Sequence, residues 1–330
     1  MRTVRVAARA NIALIKYWGK AEATRNVPAV GSLSLTLHGL ETETTVEPLA
    51  GGQRLFELDG RPMATDEAAR IQDLAERLGL PAAAGFAFRS NNRFPTAAGL
   101  ASSASGGAAA VVALALAAGC DLDRAGYVGE SLRVSGSAPR SLVGGFARLD
   151  PTDGGAAMRE LAVPDLADLR VLVAQARAGR KDVGSRDAMA ASLDSPYFRP
   201  WVDSHRDDLD AAESALVAAD WPTLWSVMEY STLKMHALPL TSRPPVWYWT
   251  PTTLAILEAV RGARAEGLSG GFTMDAGPHV KLFCRAAEVE AWRARLAAVP
   301  GVLGVLEAAP GAGPAVEVDG KAEPWSLPRH

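Results

Sequence analysis

The sequence predicts an α+β fold in two lobes, on three observations. Alternating apolar runs open the chain, a small-residue loop leads into an almost wholly apolar helix before its middle, and longer helical patterns dominate the second half. At 330 residues the chain is longer than a typical single-core domain, which favours two packed lobes.

Taken in order, "TVRVAA" alternates like a half-buried strand, and "TETTVEP" and "QRLFELDG" read as strands separated by a Gly-Gly turn. Thr65 is placed to cap a helix whose apolar face is Ile71, Leu74 and Leu78, with Gly79 as its stop and Arg70 on the edge of that face. "GFAFRSNN" reads as a strand running into the hydroxyl-rich loop. "ASGGAAAVVALALAAG" is apolar on every side, the mark of a buried helix. "PTDGG", Pro151 to Gly155, is turn-forming and "DLRVLVAQA" returns to a strand, so the lobe boundary is expected there or slightly later. Helices follow over Asp207 to Ala219 and from Thr250 as N-cap and Pro251 at the first position to Gly267, the latter with a stripe of Leu254, Leu257 and Val260. "GGFTMDAGP" and "HVKLFC" are two strands joined by a turn, and Val289, Trp292 and Leu296 share one face of a last helix. No internal repeat or low-complexity tract is visible.

Acidic residues outnumber Lys plus Arg by 37 to 34, and no basic run suggests a nucleic-acid tail, so any attraction for an anion must be local. Cys120 and Cys284 are far apart and neither sits in a CxxC pair, which argues against a disulfide framework or zinc site and for a reducing cytoplasm. The longest apolar run, Ala108 to Ala118, falls short of the roughly 20 residues that span a bilayer. The N-terminus lacks a signal-peptide pattern.

"PTAAGLASSASGG", Pro95 to Gly107, has two readings. Backbone N–H groups at the start of the following helix could receive phosphate, with Gly99 and Gly106 freeing the backbone and Ser102, Ser103 and Ser105 adding donors. Equally, the stretch could be tight packing of small residues against a sheet. Familiar nucleotide motifs do not decide between them. Lys20 and Lys321 follow glycine but precede alanine, so neither makes a Walker A loop. "HRD" at His205 to Asp207 lacks the other kinase signatures. In "NIALIKYWGK", Lys16 and Lys20 surround Tyr17 and Trp18, and lysines embedded in apolar sequence are best explained as anion ligands. "SGSAPRS", by itself, reads as a helix cap with a surface arginine, Arg140. Asp275 in "FTMDAGP" by itself reads as a turn aspartate bonding the local backbone. "MHALPLTSRPPVWYW" reads as packing aromatics.

Taken in order, "NIALIKYWGK", "PTAAGLASSASG", "SGSAPRS", "KDVGS", "MHA" with "PP" following, and "FTMDAGP" resemble the successive signatures of the diphosphomevalonate decarboxylases of the GHMP kinase superfamily. The resemblance runs from residue 10 to about 280. It implies a two-lobed GHMP kinase fold with the active site in the cleft, residues 1–178 forming an ATP-binding N-terminal domain and 179–330 a C-terminal domain. It implies that ATP, with Mg²⁺, phosphorylates the tertiary 3-hydroxyl of mevalonate 5-diphosphate, after which phosphate and CO2 leave to give isopentenyl diphosphate for isoprenoid biosynthesis. By the same matching Asp275, Lys16 and Arg140 are catalytic, with Arg140 on the substrate carboxylate, and Tyr17, Lys20, Arg70, Ser135 and Ser137 bind substrate. Asn91, with Asn92 beside it, and Gly99, Leu100, Ala101, Ser102, Ser103, Ser105, Lys181 and Ser185 border the nucleotide. No metal ligand is assigned. A cytoplasmic homodimer is expected. Pro139, Val30 and Gly31 depart from the family pattern, and the prokaryotic branch that the chain resembles includes decarboxylases of mevalonate 5-phosphate and kinases of the 3-hydroxyl.

Overall fold

The computed structural model describes residues 1–93, 102–179 and 182–329, apart from the Ser102 side chain. In chain order the elements are β1 (Val4–Ile15), β2 (Lys20–Glu22), β3 (Val27–Pro28), β4 (Ser32–Pro48), β5 (Arg54–Leu58), β6 (Arg61–Pro62), α1 (Thr65–Arg77), β7 (Phe86–Asn92), α2 (Ser102–Ala118) and α3 (Arg124–Val134). They continue with β8 (Phe146–Thr152), β9 (Gly155–Leu161), β10 (Leu169–Ala174), α4 (Ser185–Ala191), α5 (Phe198–Val217), α6 (Trp221–Leu240), α7 (Pro251–Ala265), β11 (Gly271–Thr273), β12 (Val280–Arg285), α8 (Val289–Ala297), β13 (Val305–Pro310), β14 (Ala315–Val318) and β15 (Lys321–Glu323). A 3-10 turn, Ala138–Leu142, links α3 to β8.

The long strand β4 connects the sheet. Its start pairs with β8, its end with β7, and Leu37 and His38 between them with Pro310 and Ala309 of β13. β1 runs antiparallel to β4, with register shifts between Arg9 and Asn11 and between Ala13 and Ile15. Such irregularities re-aim side chains, and Asn11, Ala13 and Lys16 beside them line the chamber described below. Through β13 the sheet continues into β10, β12 and β11, while β14 and β15 extend it from β1.

Apolar burial explains the layers. α2 is buried on all sides over Ala108–Ala115 and shares a core with Val4, Val6, Leu74, Phe86 and Phe88. Ile12, Leu14, Leu33 and Leu35 pack with Leu209 of α5 and Leu224, Trp225 and Met228 of α6. Ile256 and Val260 of α7 and Trp292 and Leu296 of α8 cover β10 and β12. Each large apolar side chain so buried stabilises by roughly 1.5–3 kcal/mol.

Several local expectations hold. Thr250 makes a capping box with Thr253 ahead of Pro251, Gly267 has φ of 102° just past α7, and Val289, Trp292 and Leu296 are all buried. Others change. Thr65 is the first residue of α1, and Ala64 caps it without a side-chain bond. On α7, Leu254 is half exposed and Ile256 takes the inward position. α5 begins at Phe198, so "HRD" lies within a helix, with His205 buried and its Nε2–H donating to the Gly31 carbonyl at 2.9 Å. No described helix is long and apolar enough to cross a membrane.

Candidate active site

The ends of two strands that are not paired in the sheet place the central charges. Lys16 follows β1, and Asp275 lies in the turn between β11 and β12. The Thr273 hydroxyl donates to the Ala13 carbonyl at 3.0 Å, tying these strands together. The Lys16 amide donates to Ser231 Oγ of α6 at 3.0 Å. Lys16 Nζ then reaches Asp275 Oδ1 at 2.8 Å, and Lys281 Nζ of β12 reaches Oδ2 at 3.2 Å. The two lysines are 2% and 1% exposed, whereas the Asp275 side chain is 30% exposed. Burial pulls Lys16 down to about 8 against the opposing pull of Asp275. For Asp275 burial alone would raise its pKa, but the two ammonium groups reverse this and hold it well below the usual carboxylate range. The aspartate is therefore a fixed negative charge, not merely a turn residue.

Arg140 corrects its sequence reading: the side chain belongs to the interior, at 3% exposure. Its Nη1 donates to Ser32 Oγ at 2.9 Å and its Nε to Asn11 Oδ1 at 3.3 Å. Asn11 is held in turn by the Ser137 carbonyl and Ser141 Oγ. Pro139 fits here because it stands at the start of the 3-10 turn, where a missing N–H costs nothing. No carboxylate forms an ion pair with Arg140 among the described residues, and burial lowers its pKa to about 10. A buried guanidinium with donors left over marks a place for an anion.

Beside it the Tyr17 hydroxyl is buried without a hydrogen-bond partner among the described residues, and burial pushes it up to about 12. Trp18 is instead a core residue, its Nε1–H donating to Ser192 Oγ at 2.9 Å. A Cβ on Gly136 would stand 2.6 Å from the Tyr17 hydroxyl, so only glycine lets that ring lie against the Ser135 to Ser137 segment. Lys16, Tyr17, Ser135, Ser137, Arg140, Ser185 and Asp275 all line one chamber of about 160 Å³.

Two larger cavities adjoin this chamber. One, of about 440 Å³, is lined by Lys20, Arg70, Arg77, Arg133 and Arg186 against a single acid, Asp73, and shares Met189 with the chamber. Arg77 pairs with Asp73 and Glu130, and Arg70 with Asp66. Lys20 and Arg186 form no ion pair among the described residues, and Lys20 is lowered by burial and then by Arg186. The other cavity, of about 340 Å³, has an apolar wall of Leu58, Met63, Ile71 and Phe88 with Asn92 and Ser103 at its polar side, and it shares Ser103 and Ser135 with the chamber. α2 reaches this junction because Gly107 lacks a side chain: a Cβ there would stand 2.8 Å from that of Ala138.

Gly99, Leu100, Ala101 and Lys181 lie outside the described residues, as does the Ser102 side chain. Asn91 is exposed on the face of β7 opposite Ser90, while Asn92 lines the cavity, its Oδ1 accepting from Thr42 at 2.9 Å. Ser105 points inward, 2.7 Å from the Thr42 hydroxyl, and does not line the cavities. Sequence reasoning did not single out Lys281, Arg186, Asn11 or Ser32. A charge inside the apolar run "HVKLFC" was the available signal for Lys281, and adjacency to Ser185 the signal for Arg186. Asn11 and Ser32 carry no local signal, because their role is contact with Arg140.

Comparison with known proteins identifies the family. Residues 8–158 match a diphosphomevalonate decarboxylase-like N-terminal domain and residues 171–304 a mevalonate 5-diphosphate decarboxylase C-terminal domain. The phosphomevalonate decarboxylase of Haloferax volcanii is 33% identical over 279 residues, covering 81% of this chain and 83% of the relative. The solved mevalonate diphosphate decarboxylase from Staphylococcus aureus superposes with a TM-score of 0.88 at 31% identity, covering 96% of this chain and 98% of that one. A structure of the protein abbreviated MDDEF, in complex with MVAPP, AMPPCP and magnesium, gives 0.87 at 34% identity with the same coverage. With both halves matched by family models, and relatives above 30% identity covered along most of their length, the chain belongs to the diphosphomevalonate decarboxylase family.

Proposed function

We propose that this protein catalyses the ATP-dependent decarboxylation of mevalonate 5-diphosphate to isopentenyl diphosphate, ADP, phosphate and CO2. The observation that carries the reading is a group of three mutually adjoining cavities, a basic one, the charged chamber and a partly apolar one, with Arg70 shared by the first and the last. In this reading the basic cavity takes the 5-diphosphate on Lys20, Arg70 and Arg186. The chamber takes the carboxylate on Arg140, with Tyr17, Ser135 and Ser137 along the chain, and sets the 3-hydroxyl against Asp275 and Lys16. The third cavity takes the nucleotide, its base against Leu58, Met63, Ile71 and Phe88, with Asn92 nearer to it than Asn91. Ser103, at the junction, meets the phosphates.

The 3-hydroxyl oxygen attacks the terminal phosphorus of ATP and ADP leaves; the hydroxyl proton departs with help from the Asp275–Lys16 pair. Next the C–O bond breaks with its electron pair leaving on phosphate. The bond to the carboxyl carbon supplies the pair for the new double bond, and CO2 is released. Positive charge developing at the tertiary carbon is opposed by Asp275.

The complex of MDDEF with AMPPCP and magnesium supports ATP and Mg²⁺ for this chain too. Among the described residues no three His, Cys, Asp or Glu side chains are grouped to hold a metal, and both Asp275 oxygens are engaged by lysines. This donor set fits a cation carried by the ATP phosphates, where it neutralises the transferring phosphoryl group. The same reading divides the chain into an ATP-binding domain over 1–178 and a second domain over 179–330, and makes it a cytoplasmic homodimer, the latter open to a sedimentation measurement.

A second reading, decarboxylation of mevalonate 5-phosphate, is favoured by the Haloferax relative. The size and charge of the basic cavity favour the diphosphate. Purified protein with Mg-ATP and each substrate, followed for ADP and CO2 together, decides. Equal ADP and CO2 from the diphosphate supports the main reading, preference for the monophosphate the second, and ADP without CO2 removes both in favour of a 3-kinase.

A further inference from the structure

Asp275 is held from two sides, and one of its partners belongs to none of the motifs that carry the family likeness. Lys281 stands in β12, 1% exposed, with Nζ 3.2 Å from Asp275 Oδ2, while Lys16 takes Oδ1 at 2.8 Å. Lys281 has no other carboxylate partner among the described residues. The further titratable groups facing the cluster are Arg140 from the 3-10 turn, His236 from α6 and Tyr17 after β1, none of them a carboxylate. Burying a lysine in a strand core is costly, and an apolar residue of similar size is commonly as stable or more so. A structural role therefore accounts poorly for it.

We propose that Lys281 is a positioning residue for the reaction: its ammonium holds Asp275 Oδ2 so that the carboxylate presents one fixed face to the substrate's 3-hydroxyl. One ammonium alone would leave the carboxylate free to turn about its last bond, whereas bonds to separate oxygens fix its plane. The second charge also opposes protonation of both neighbours. It helps keep Asp275 ionised, and it adds to the burial that lowers Lys16. Removing it raises the proton affinity of both groups; Asp275 still titrates far below neutral, so the limb of a pH–rate profile that moves is the basic one set by Lys16, to higher pH.

This inference rests on the decarboxylase reading, and the experiment separates the two. ADP release from mevalonate 5-diphosphate is followed against pH for the full chain, K281M and K281R, with thermal melts of each. For K281M the expectation is a kcat lower by about 30-fold, KM within about threefold, the basic pH limb set by Lys16 moved upward by about one unit, and a melting temperature equal or higher. K281R, which keeps the charge, recovers kcat to within about fivefold of the parent with an unmoved basic limb. K281M with parental kcat, or with a loss of kcat but an unmoved basic limb, overturns the proposal. Independently of turnover, ¹³C-aspartate NMR, with the Asp275 signal assigned through D275N, reads the carboxyl directly. An Asp275 that titrates near the ordinary value of about 4 in the unaltered protein overturns the role of Lys281, even where K281M does not fold. Absence of ADP release from the unaltered protein removes the decarboxylase reading instead, while the titration still decides on Lys281.

Discussion

Replacing Asp275 by asparagine keeps the side chain's shape and removes the only acidic group, among the described residues, from a chamber lined also by Lys16 and Arg140, leaving Lys281 behind it without its partner. With a unit charge about 4 Å from the tertiary carbon and an effective dielectric of about 20, the lost attraction is about 4 kcal/mol, or about three powers of ten in rate. Stability falls less than the roughly 3–5 kcal/mol expected for stranding a buried charge. The reason lies in Lys16: Asp275 raises its proton affinity, and without that support burial and Lys281 take it below about 8, so that it discharges near neutral pH. We expect Asp275→Asn to fold, to bind the substrate with KM within about threefold and to lose kcat by about 1000-fold. The assay is ADP and CO2 release at saturating Mg-ATP, with a thermal melt alongside. A kcat within about tenfold of the parent, equivalent to about 1.4 kcal/mol, would refute the role given to Asp275.

Other perturbations reach the neighbouring groups. Gly136→Ala puts a methyl 2.6 Å from the Tyr17 hydroxyl and forces the ring aside; KM for the mevalonate substrate is expected to rise by about tenfold or more, and an unchanged KM would show that Tyr17 does not meet it. Arg186→Gln removes a cation that has no ion-pair partner among the described residues; KM is expected to rise at least about tenfold with kcat within about threefold, and a loss confined to kcat would place Arg186 away from the substrate's phosphates. Burial holds His205 and His236 neutral, pushing them down to about 4 and about 3. As pH falls below about 6.5 the unfolded chain takes up protons at both positions and the folded chain does not, so stability drops by up to about 2.7 kcal/mol per pH unit until about pH 4. Urea midpoints that stay flat from about pH 6.5 to 4.5 would count against this.

Local rules carried far where the deciding contacts are near in sequence. Thr250 followed by Pro251 makes a helix start by its own hydroxyl and ring, and the alanine-rich, unbroken apolar run from Ala108 to Ala115 forms the buried helix its composition favours. Thr65 shows the limit: a hydroxyl at the right place caps only if the backbone leaves the helix there, and at Thr65 it is already helical. Leu254 and Ile256 are equally apolar, and only the packing of α7 on β12 decides which turns inward.

The sequence by itself determined the α+β elements, the family, and the identity of Lys16, Arg140 and Asp275 as its charged motif residues, because motif order and short-range periodicity survive without coordinates. What only the tertiary structure decided is how these charges are paired. Arg140 reads as a surface residue until β1 and β4 bring Asn11 and Ser32 against it, and Asp275 reads as a turn residue until β1 and β12 bring a lysine to each of its oxygens. The cost of burying a charge and the shift of its proton affinity depend on partners a few ångströms away in space. Those partners stand more than a hundred positions apart along the chain for Asn11 and Arg140, and for Lys16 and Asp275 more than two hundred.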